Sequence, residues 1–341
     1  MAGRRAGAVM DTRSLRGRAV LVTGADGLIG SHLSRALLER GADVVVVRRD
    51  RPPVSGLELQ EIDGRVHAVA GDVCDEGLIA RALAEYEVAD VFHLAAQTLV
   101  GVAARAPRST FETNVRGTWM VLEACRAQGV ESVIVASSDK AYGRHERLPY
   151  TEDAALAPVY PYDVSKAAAD LIARSYWHTF GLPVAVTRLA NVYGGGDLNR
   201  SRLIPEAIGA ALHGRAPVLR SDGSPERDFL YAADAVGAYL AIREALASGR
   251  PGAGGEAFNA GSGAAHRVGD VVTLICRLAG SELAPEIRGA GVPAAEIDRQ
   301  WLDSAKLQRL TGWSAETSLE AGLRSTIEWY RERPHALARL L

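Results

Sequence analysis

Two short stretches carry the residues best suited to chemistry. Ser137-Ser138-Asp139-Lys140-Ala141-Tyr142-Gly143 follows an apolar run over residues 132–136, and Tyr162-Asp163-Val164-Ser165-Lys166 opens a predicted helix downstream. Tyr162 and Lys166 stand four residues apart, so a helix sets both side chains on one face, one turn from each other. An ammonium beside a phenol lowers the phenol's pKa and readies it as a base. Ser138 is expected to hydrogen-bond the same substrate oxygen. Together these groups can take a proton from an alcohol while a hydride leaves its carbon. Asp139 and Lys140 add a second acid and base, which alcohol oxidation alone does not need. Taken singly, Tyr-x-x-x-Lys is a common helix pattern with the tyrosine packed and the lysine solvated, and Asp-Lys on a turn is commonly an idle surface pair. The elements around them decide.

Residues 19–23 form a short apolar run, read as a buried strand. Gly24-Ala25-Asp26-Gly27-Leu28-Ile29-Gly30 follows at once, and residues 31–40 read as a helix that Gly41 stops. A glycine-rich turn between strand and helix lets backbone N–H groups approach a pyrophosphate, which makes Gly24, Gly27, Leu28, Ile29 and Gly30 candidate cofactor contacts. A second strand, 44–47, ends at Arg48-Arg49-Asp50. Dinucleotide folds that take NAD carry an acid there for the ribose hydroxyls, whereas arginines suit a 2′-phosphate. Solvated or adenine-stacked arginines leave NAD in place, so NAD and NADP both stay open. A third strand, 66–70, leads to Asp72 and Val73. Asp72 sits where an adenine amino group is bound, or else caps the helix that starts near Asp75. A fourth strand, 90–95, brings Leu94, Ala95 and Ala96 to the cofactor and Gln97 to the substrate side, with His93 read as a packed strand residue. Residues 110–128 read as a long helix carrying Asn114, and 184–189 as a sixth strand. Strand and helix alternate throughout, which predicts an α/β, doubly wound parallel sheet with its chemistry at the carboxyl ends of the strands.

The chain has 341 residues, enough for two joined lobes. Its hydrophobic content of 48%, charged content of 23% and formal charge of −2 are those of a soluble globular protein and point to neither a nucleic-acid nor a membrane partner. The three cysteines are widely spaced, so no disulfide framework or metal site is expected, and a reducing cytoplasm fits. Residues 1–17 read as a flexible, arginine-rich tail without a signal peptide's apolar stretch; a phosphate-binding arm made of Arg4, Arg5, Arg13, Arg16 and Arg18 is the other reading. Residues 18–190 are assigned to a dinucleotide-binding lobe, with 230–258 returning to it, and 191–229 and 259–341 to a substrate lobe. Asn191 opens a glycine-rich loop there. Arg202, Arg220 and Arg227 are spread among short elements, which suits a substrate with phosphates of its own.

In order along the chain, Thr23-Gly-x-x-Gly-x-x-Gly30, Asp72, His93-Leu-Ala-Ala and Tyr162-x-x-x-Lys166 resemble the extended short-chain dehydrogenases/reductases that act on nucleotide sugars. One branch is closer. His93-Leu-Ala-Ala-Gln-Thr-Leu-Val100, Thr113-Asn-Val-Arg-Gly-Thr118, Ser138-Asp-Lys140 and Asn191-Val-Tyr-Gly-Gly-Gly-Asp197 resemble CDP-glucose 4,6-dehydratase. The resemblance implies a Rossmann lobe, a smaller nucleotide-sugar lobe and a homodimer built on two long helices per subunit. It sets Asn191, Arg202 and Arg227 near the substrate's diphosphate and nucleoside. It also implies that Tyr162, with Ser138 and Lys166, oxidises the sugar at C4, that Lys140 takes the proton on C5, and that Asp139 protonates the departing 6-hydroxyl. The hydride then returns to C6, so a tightly bound cofactor is recycled. The glycine loop is closer to that of 4-epimerases, Arg48-Arg49 resembles NADP-using GDP-mannose dehydratases, and Arg227-Asp228-Phe229-Leu230 is the general family form. A nucleotide-sugar 4-epimerase is therefore the second reading, and a non-catalytic cofactor-binding protein on the same fold the third. The nucleotide and the sugar stay open.

Overall fold

The computed structural model describes residues 15–292 and 297–341. Six strands follow the chain: β1 (Ala19–Thr23), β2 (Asp43–Arg48), β3 (His67–Ala70), β4 (Asp90–His93), β5 (Ser132–Ala136) and β6 (Val184–Leu189). They lie in the order β6-β5-β4-β1-β2-β3, and the strand Ala257–Ala260 returns beside β6 to make a seventh. Every pairing is parallel. Successive strand residues face opposite ways, and both faces are covered. Val20, Val22, Val44 and Val46 enter one core, which the helix Ala232–Ala247 covers with Tyr239 and Ile242. Leu21, Val45, Val91 and Val133 enter the other. The strand order reverses between β1 and β4, so a crevice opens at their carboxyl ends.

Three boundaries differ from the sequence reading, each for a local reason. The fourth strand stops at His93, because Leu94 and Ala95 give their N–H groups to Thr23 Oγ1, at 3.1 Å each. The first helix begins at Leu28, inside the glycine motif. The long helix is interrupted: Glu112–Arg116 is a π-turn between Pro107–Phe111 and Gly117–Gln128. At the amino end, Leu15 is buried in the core and Arg18 pairs with Asp90 and Glu131. Of residues 15–17, assigned to the tail by sequence, Leu15 is thus packed while Arg16 and Gly17 are exposed, and 1–14, with Arg4, Arg5 and Arg13, lie outside the described residues.

The smaller lobe is built on helices Leu203–Leu212, Val268–Ala279 and Leu319–Arg331 around Ile208, Phe229, Ile275 and Ile327. Its strand Glu226–Arg227 lies between His266–Arg267 and Arg299–Gln300, and this small sheet faces the carboxyl end of β5. Among the described residues no helix is long and apolar enough to cross a membrane, and no cluster of metal-ligating side chains occurs.

Candidate active site

The glycine turn fits a dinucleotide's pyrophosphate. Gly24 has φ +72°, and a Cβ there would stand 2.7 Å from the backbone of Leu94 and Ala95. A Cβ on Gly30 would stand 2.2 Å from the Gly24 carbonyl oxygen, so strand and helix pack without room for a side chain. Gly27 is open on its Cβ side, where the nearest atom is 3.4 Å away. The helix Leu28–Glu39 has no side-chain cap, which leaves its first N–H groups and its dipole for an anion. Asp26 would repel that anion, but Arg48 clamps it with two bonds of 3.0 Å and also holds Asp63 at 2.5 Å. A crevice of about 210 Å³ runs from Asp26, Gly27 and Leu28 across to Thr98, Asp197 and Arg202 of the facing loops. A hollow of about 260 Å³ lies at the amino ends of the strands, beside Asp43, His67 and Tyr86, and carries none of the chemistry-bearing residues.

The remaining cofactor-side residues divide. Arg49 is exposed and pairs with its neighbour Asp50 at 2.6 Å. Asp72 is not the helix cap: Asp75 caps Glu76–Glu85, accepting from Gly77 and Leu78. Asp72 instead accepts from the Cys74 N–H, and Val73 is buried beside it. His93 is fully packed between Thr23 and Thr118, at 2.8 and 3.1 Å, and burial pulls its pKa down to about 3. It is a neutral scaffold residue, as the sequence reading had it.

The chemical cluster forms where β5 meets the helix Pro161–Phe180. Beyond β5, Ser138 caps a tight turn, Asp139–Tyr142, by accepting from the Lys140 N–H. Its hydroxyl donates to Asp139 Oδ1 at 3.0 Å and acts on the Tyr162 phenol to lower its pKa. Asp139 is 3% exposed, and its Oδ2 has no partner. Burial raises its pKa against the opposing pull of Lys140 and Ser138. Lys140 Nζ reaches Gln300 Oε1 across the lobes at 3.4 Å. Asp163, one residue beyond Tyr162, is also buried, with Oδ1 unpartnered. Burial pushes it up to about 6, with Lys140 opposing and Asp139 reinforcing.

Lys166 is placed differently from the expectation: it is not among the groups that act most on the Tyr162 phenol. A buried ammonium needs an acceptor at once, and Lys166 Nζ finds the Ala136 carbonyl at the end of β5, at 2.8 Å. Burial lowers Lys166 to about 8. Tyr162 is pushed up to about 12 by burial, and the cation that most opposes the rise is Arg202 from the facing lobe. The phenol therefore keeps its proton at neutral pH until a further positive charge is brought against it.

The substrate-side residues also divide. Arg202 lines the crevice, is held by Asp197 at 3.0 Å and acts electrostatically on Tyr162. Arg227 is buried, donates to the carbonyls of Glu226 and Asp298, and reaches Asp139 electrostatically. Asn191 donates to the Asp228 carbonyl at 3.1 Å. Arg220 is exposed, and Glu206 is the acid that feels its charge. Gln97 is occupied: its amide bonds Leu99 and Thr110, so it shapes its loop. The residue holding that loop is Asn114 at the π-turn, which accepts from the Gln97 N–H at 2.7 Å and donates to the Gln97 carbonyl and Ser165. Asp163 and Gln300 were missed by sequence reasoning. Asp163 lay inside the quoted motif; Gln300 lies in a stretch without a motif, 160 residues from Lys140.

Comparison with known proteins bears on this arrangement. A model of the NAD dependent epimerase/dehydratase family matches residues 20–261. A dTDP-D-glucose 4,6-dehydratase of Mus musculus is 33% identical, over 93% of this chain and 89% of that protein. A trifunctional UDP-glucose 4,6-dehydratase/UDP-4-keto-6-deoxy-D-glucose 3,5-epimerase/UDP-4-keto-L-rhamnose-reductase of Arabidopsis thaliana is 31% identical over 95% of this chain; the chain spans about half (49%) of its length. Among solved structures, a dTDP-glucose 4,6-dehydratase from Streptomyces venezuelae with NAD bound superposes with a TM-score of 0.85 at 31% identity, covering 95% of this chain and 100% of that one.

Proposed function

The chain belongs to the NAD dependent epimerase/dehydratase family, and within it we propose that it is a nucleotide-sugar 4,6-dehydratase, converting a nucleoside-diphosphate hexose to its 4-keto-6-deoxy form. The observation that carries this reading is Asp139, a buried carboxyl with one oxygen unpartnered, set beside Lys140 in the turn that also bears Ser138. Burial shifts it toward its protonated form, the direction an acid in the reaction needs. A 4-epimerase needs only the C4 oxidation and has no use for this second acid and base.

NAD bound at the glycine turn would accept the hydride from C4 and return it to C6. The positive ring of bound NAD would add to the pull of Arg202 on the Tyr162 phenol, and as the phenolate Tyr162 takes the proton of the 4-hydroxyl. The C4 ketone acidifies the hydrogen on C5, and Lys140 removes it once its ammonium has passed a proton to solvent. The C6–O bond breaks as Asp139 protonates the departing hydroxyl, and water leaves. As hydride returns to C6, Lys140 gives its proton back to C5 and the proton taken by Tyr162 replaces the one Asp139 gave, so protons and electrons balance and the cofactor stays bound and is recycled. Lys166, Gly24, Gly27, Leu28, Ile29 and Gly30 hold the cofactor, Leu94, Ala95 and Ala96 wall it, and Asn191, Arg202 and Arg227 hold the substrate's nucleotide. NAD is favoured over NADP because the single charge of the Arg48 guanidinium is already shared between Asp26 and Asp63, leaving little of it for a 2′-phosphate. Exposed Phe111, Trp119 and Leu171 on adjoining helices support a homodimer, and a cytoplasmic location belongs to the same reading.

The test is a panel of CDP-, GDP-, UDP- and dTDP-hexoses with product masses read by mass spectrometry. The native enzyme is expected to release a product lighter by one water. Lys140→Ala is expected to oxidise C4, seen as reduced-cofactor absorbance, without dehydrating. Normal product formation by that variant removes Lys140 from the reaction, and a product of unchanged mass from the native enzyme favours the epimerase.

A further inference from the structure

Four buried side-chain polar atoms among the described residues lack a hydrogen-bond partner: Ser34 Oγ, Asp139 Oδ2, Asp163 Oδ1 and Gln300 Nε2. Three of these four gather round one ammonium. Asp139 precedes Lys140 in the same turn; Asp163 feels the charges of both Lys140 and Asp139; Gln300 touches Lys140 directly. Such a gathering is not a packing accident. An unsatisfied buried polar group costs about 1–3 kcal/mol, and an apolar residue in its place avoids that cost.

Gln300 is the informative member because it comes from the other lobe. It is fully buried. Its strand, Arg299–Gln300, pairs in parallel with Glu226–Arg227, and its carbonyl accepts from the Asp228 N–H at 3.1 Å, so the backbone is pinned. Its side-chain oxygen accepts from Lys140 Nζ at 3.4 Å. The reverse amide orientation would turn two N–H donors onto an ammonium, so this one is fixed by charge. The amide nitrogen is then left with donors and nothing to receive them.

We propose that Gln300 is a positioning residue for the elimination step: its carbonyl oxygen holds Lys140 while its N–H groups donate to a hydroxyl oxygen of the bound hexose. The small lobe thereby aims the base of the large lobe at a sugar lying between them. This rests on the dehydratase reading. Only an oxygen-rich, neutral ligand fits the set, because two acids already crowd the ammonium and the unpartnered amide can only donate.

The experiment compares native enzyme with Gln300→Leu and Gln300→Glu, using the nucleotide hexose that the panel identifies. Misplacing a base by an ångström slows a step on the order of 10²-fold. Gln300→Leu is expected to keep the native melting temperature or exceed it, and to lower kcat for dehydration by roughly 10–100-fold. Reduced cofactor should accumulate in the steady state, because C4 oxidation still runs and elimination lags. Gln300→Glu keeps an oxygen on Lys140 but loses the donor, so KM should rise more than kcat falls; it also carries the test if Gln300→Leu does not fold. Native kcat and KM in both variants overturn the proposal, as does equal slowing of oxidation and elimination, which would make Gln300 a general substrate contact. A native enzyme whose product keeps the substrate's mass overturns the dehydratase reading, and this inference with it. A native dehydratase indifferent to Gln300 overturns this inference alone.

Discussion

Two groups of charged residues meet at the turn Asp139–Tyr142 and are built on opposite principles. Under the sheet, Arg188 and Asp170 are 1% and 0% exposed and joined by two bonds, of 2.7 and 3.0 Å. The remaining guanidinium nitrogen donates to the Tyr142 hydroxyl, which in turn donates to Asn259. Every charge in that group has an answer. Beyond β5, Asp139 and Asp163 are buried beside a half-buried Lys140, yet two carboxyl oxygens are unanswered. The first arrangement is that of a scaffold, since a buried charge is tolerated when fully paired. The second is that of a site held ready for a ligand's polar atoms. They are mechanically joined: Tyr142 closes the same short turn that carries Asp139 and Lys140. The satisfied group fixes the turn, and the turn presents the unsatisfied one.

Breaking the scaffold should have the largest effect. Arg188→Met leaves Asp170 buried without its partner, and such a loss costs about 3–5 kcal/mol. Urea unfolding measures it, and the double variant Arg188→Met with Asp170→Leu should recover much of the loss. A single-variant cost under about 1 kcal/mol would mean that the pair is not what holds the turn. The reciprocal change comes next. Asp139→Asn should leave stability unaltered or slightly raised, since a neutral amide replaces a carboxyl that burial disfavours. Dehydration should nevertheless fall by at least about 10²-fold, the usual contribution of a general acid. A variant both stable and fully active would move Asp139 into the scaffold class.

The two groups also differ in how far sequence reveals them. The glycine turn, the alternating strands and the Tyr162–Lys166 pair are local patterns, and local sterics and helix periodicity make them legible. Arg188 looks like a strand residue, and nothing near it in sequence says that Asp170 answers it. Lys166 was identified, but its acceptor at Ala136 depends on how strand and helix meet. Arg48 suggested a 2′-phosphate only because its partners Asp26 and Asp63 stand 22 and 15 residues away. The π-turn at Glu112–Arg116 gives no signal beyond Asn114, whose amide is used three ways there. Gln300 is silent until the lobes are brought together. Pairing across a fold is a property of topology, and periodicity carries none of it.

The smallest expected effect sharpens the comparison most, because it reads the unsatisfied group by its titration alone. Asp163 is pushed from the ordinary 3.8 up to about 6, first by burial and then by Asp139, with Lys140 opposing. Between those two pH values the folded chain binds a proton there that the unfolded chain has released. Its contribution to stability is therefore full below about pH 4, falls as pH rises through 6, and stays flat above. That is the reverse of an acid held by a salt bridge. Asp163→Asn mimics the protonated form and removes the titration. Melting temperatures of native and variant protein should nearly coincide at about pH 4, and the variant should be the more stable by a few degrees at about pH 7.5. Asp139 shifts in the same direction, so the difference between the two proteins, not the native curve, is the measurement. A variant less stable than native at the higher pH would show that the Asp163 carboxylate is paired after all, and would place it with Asp170 among the answered charges.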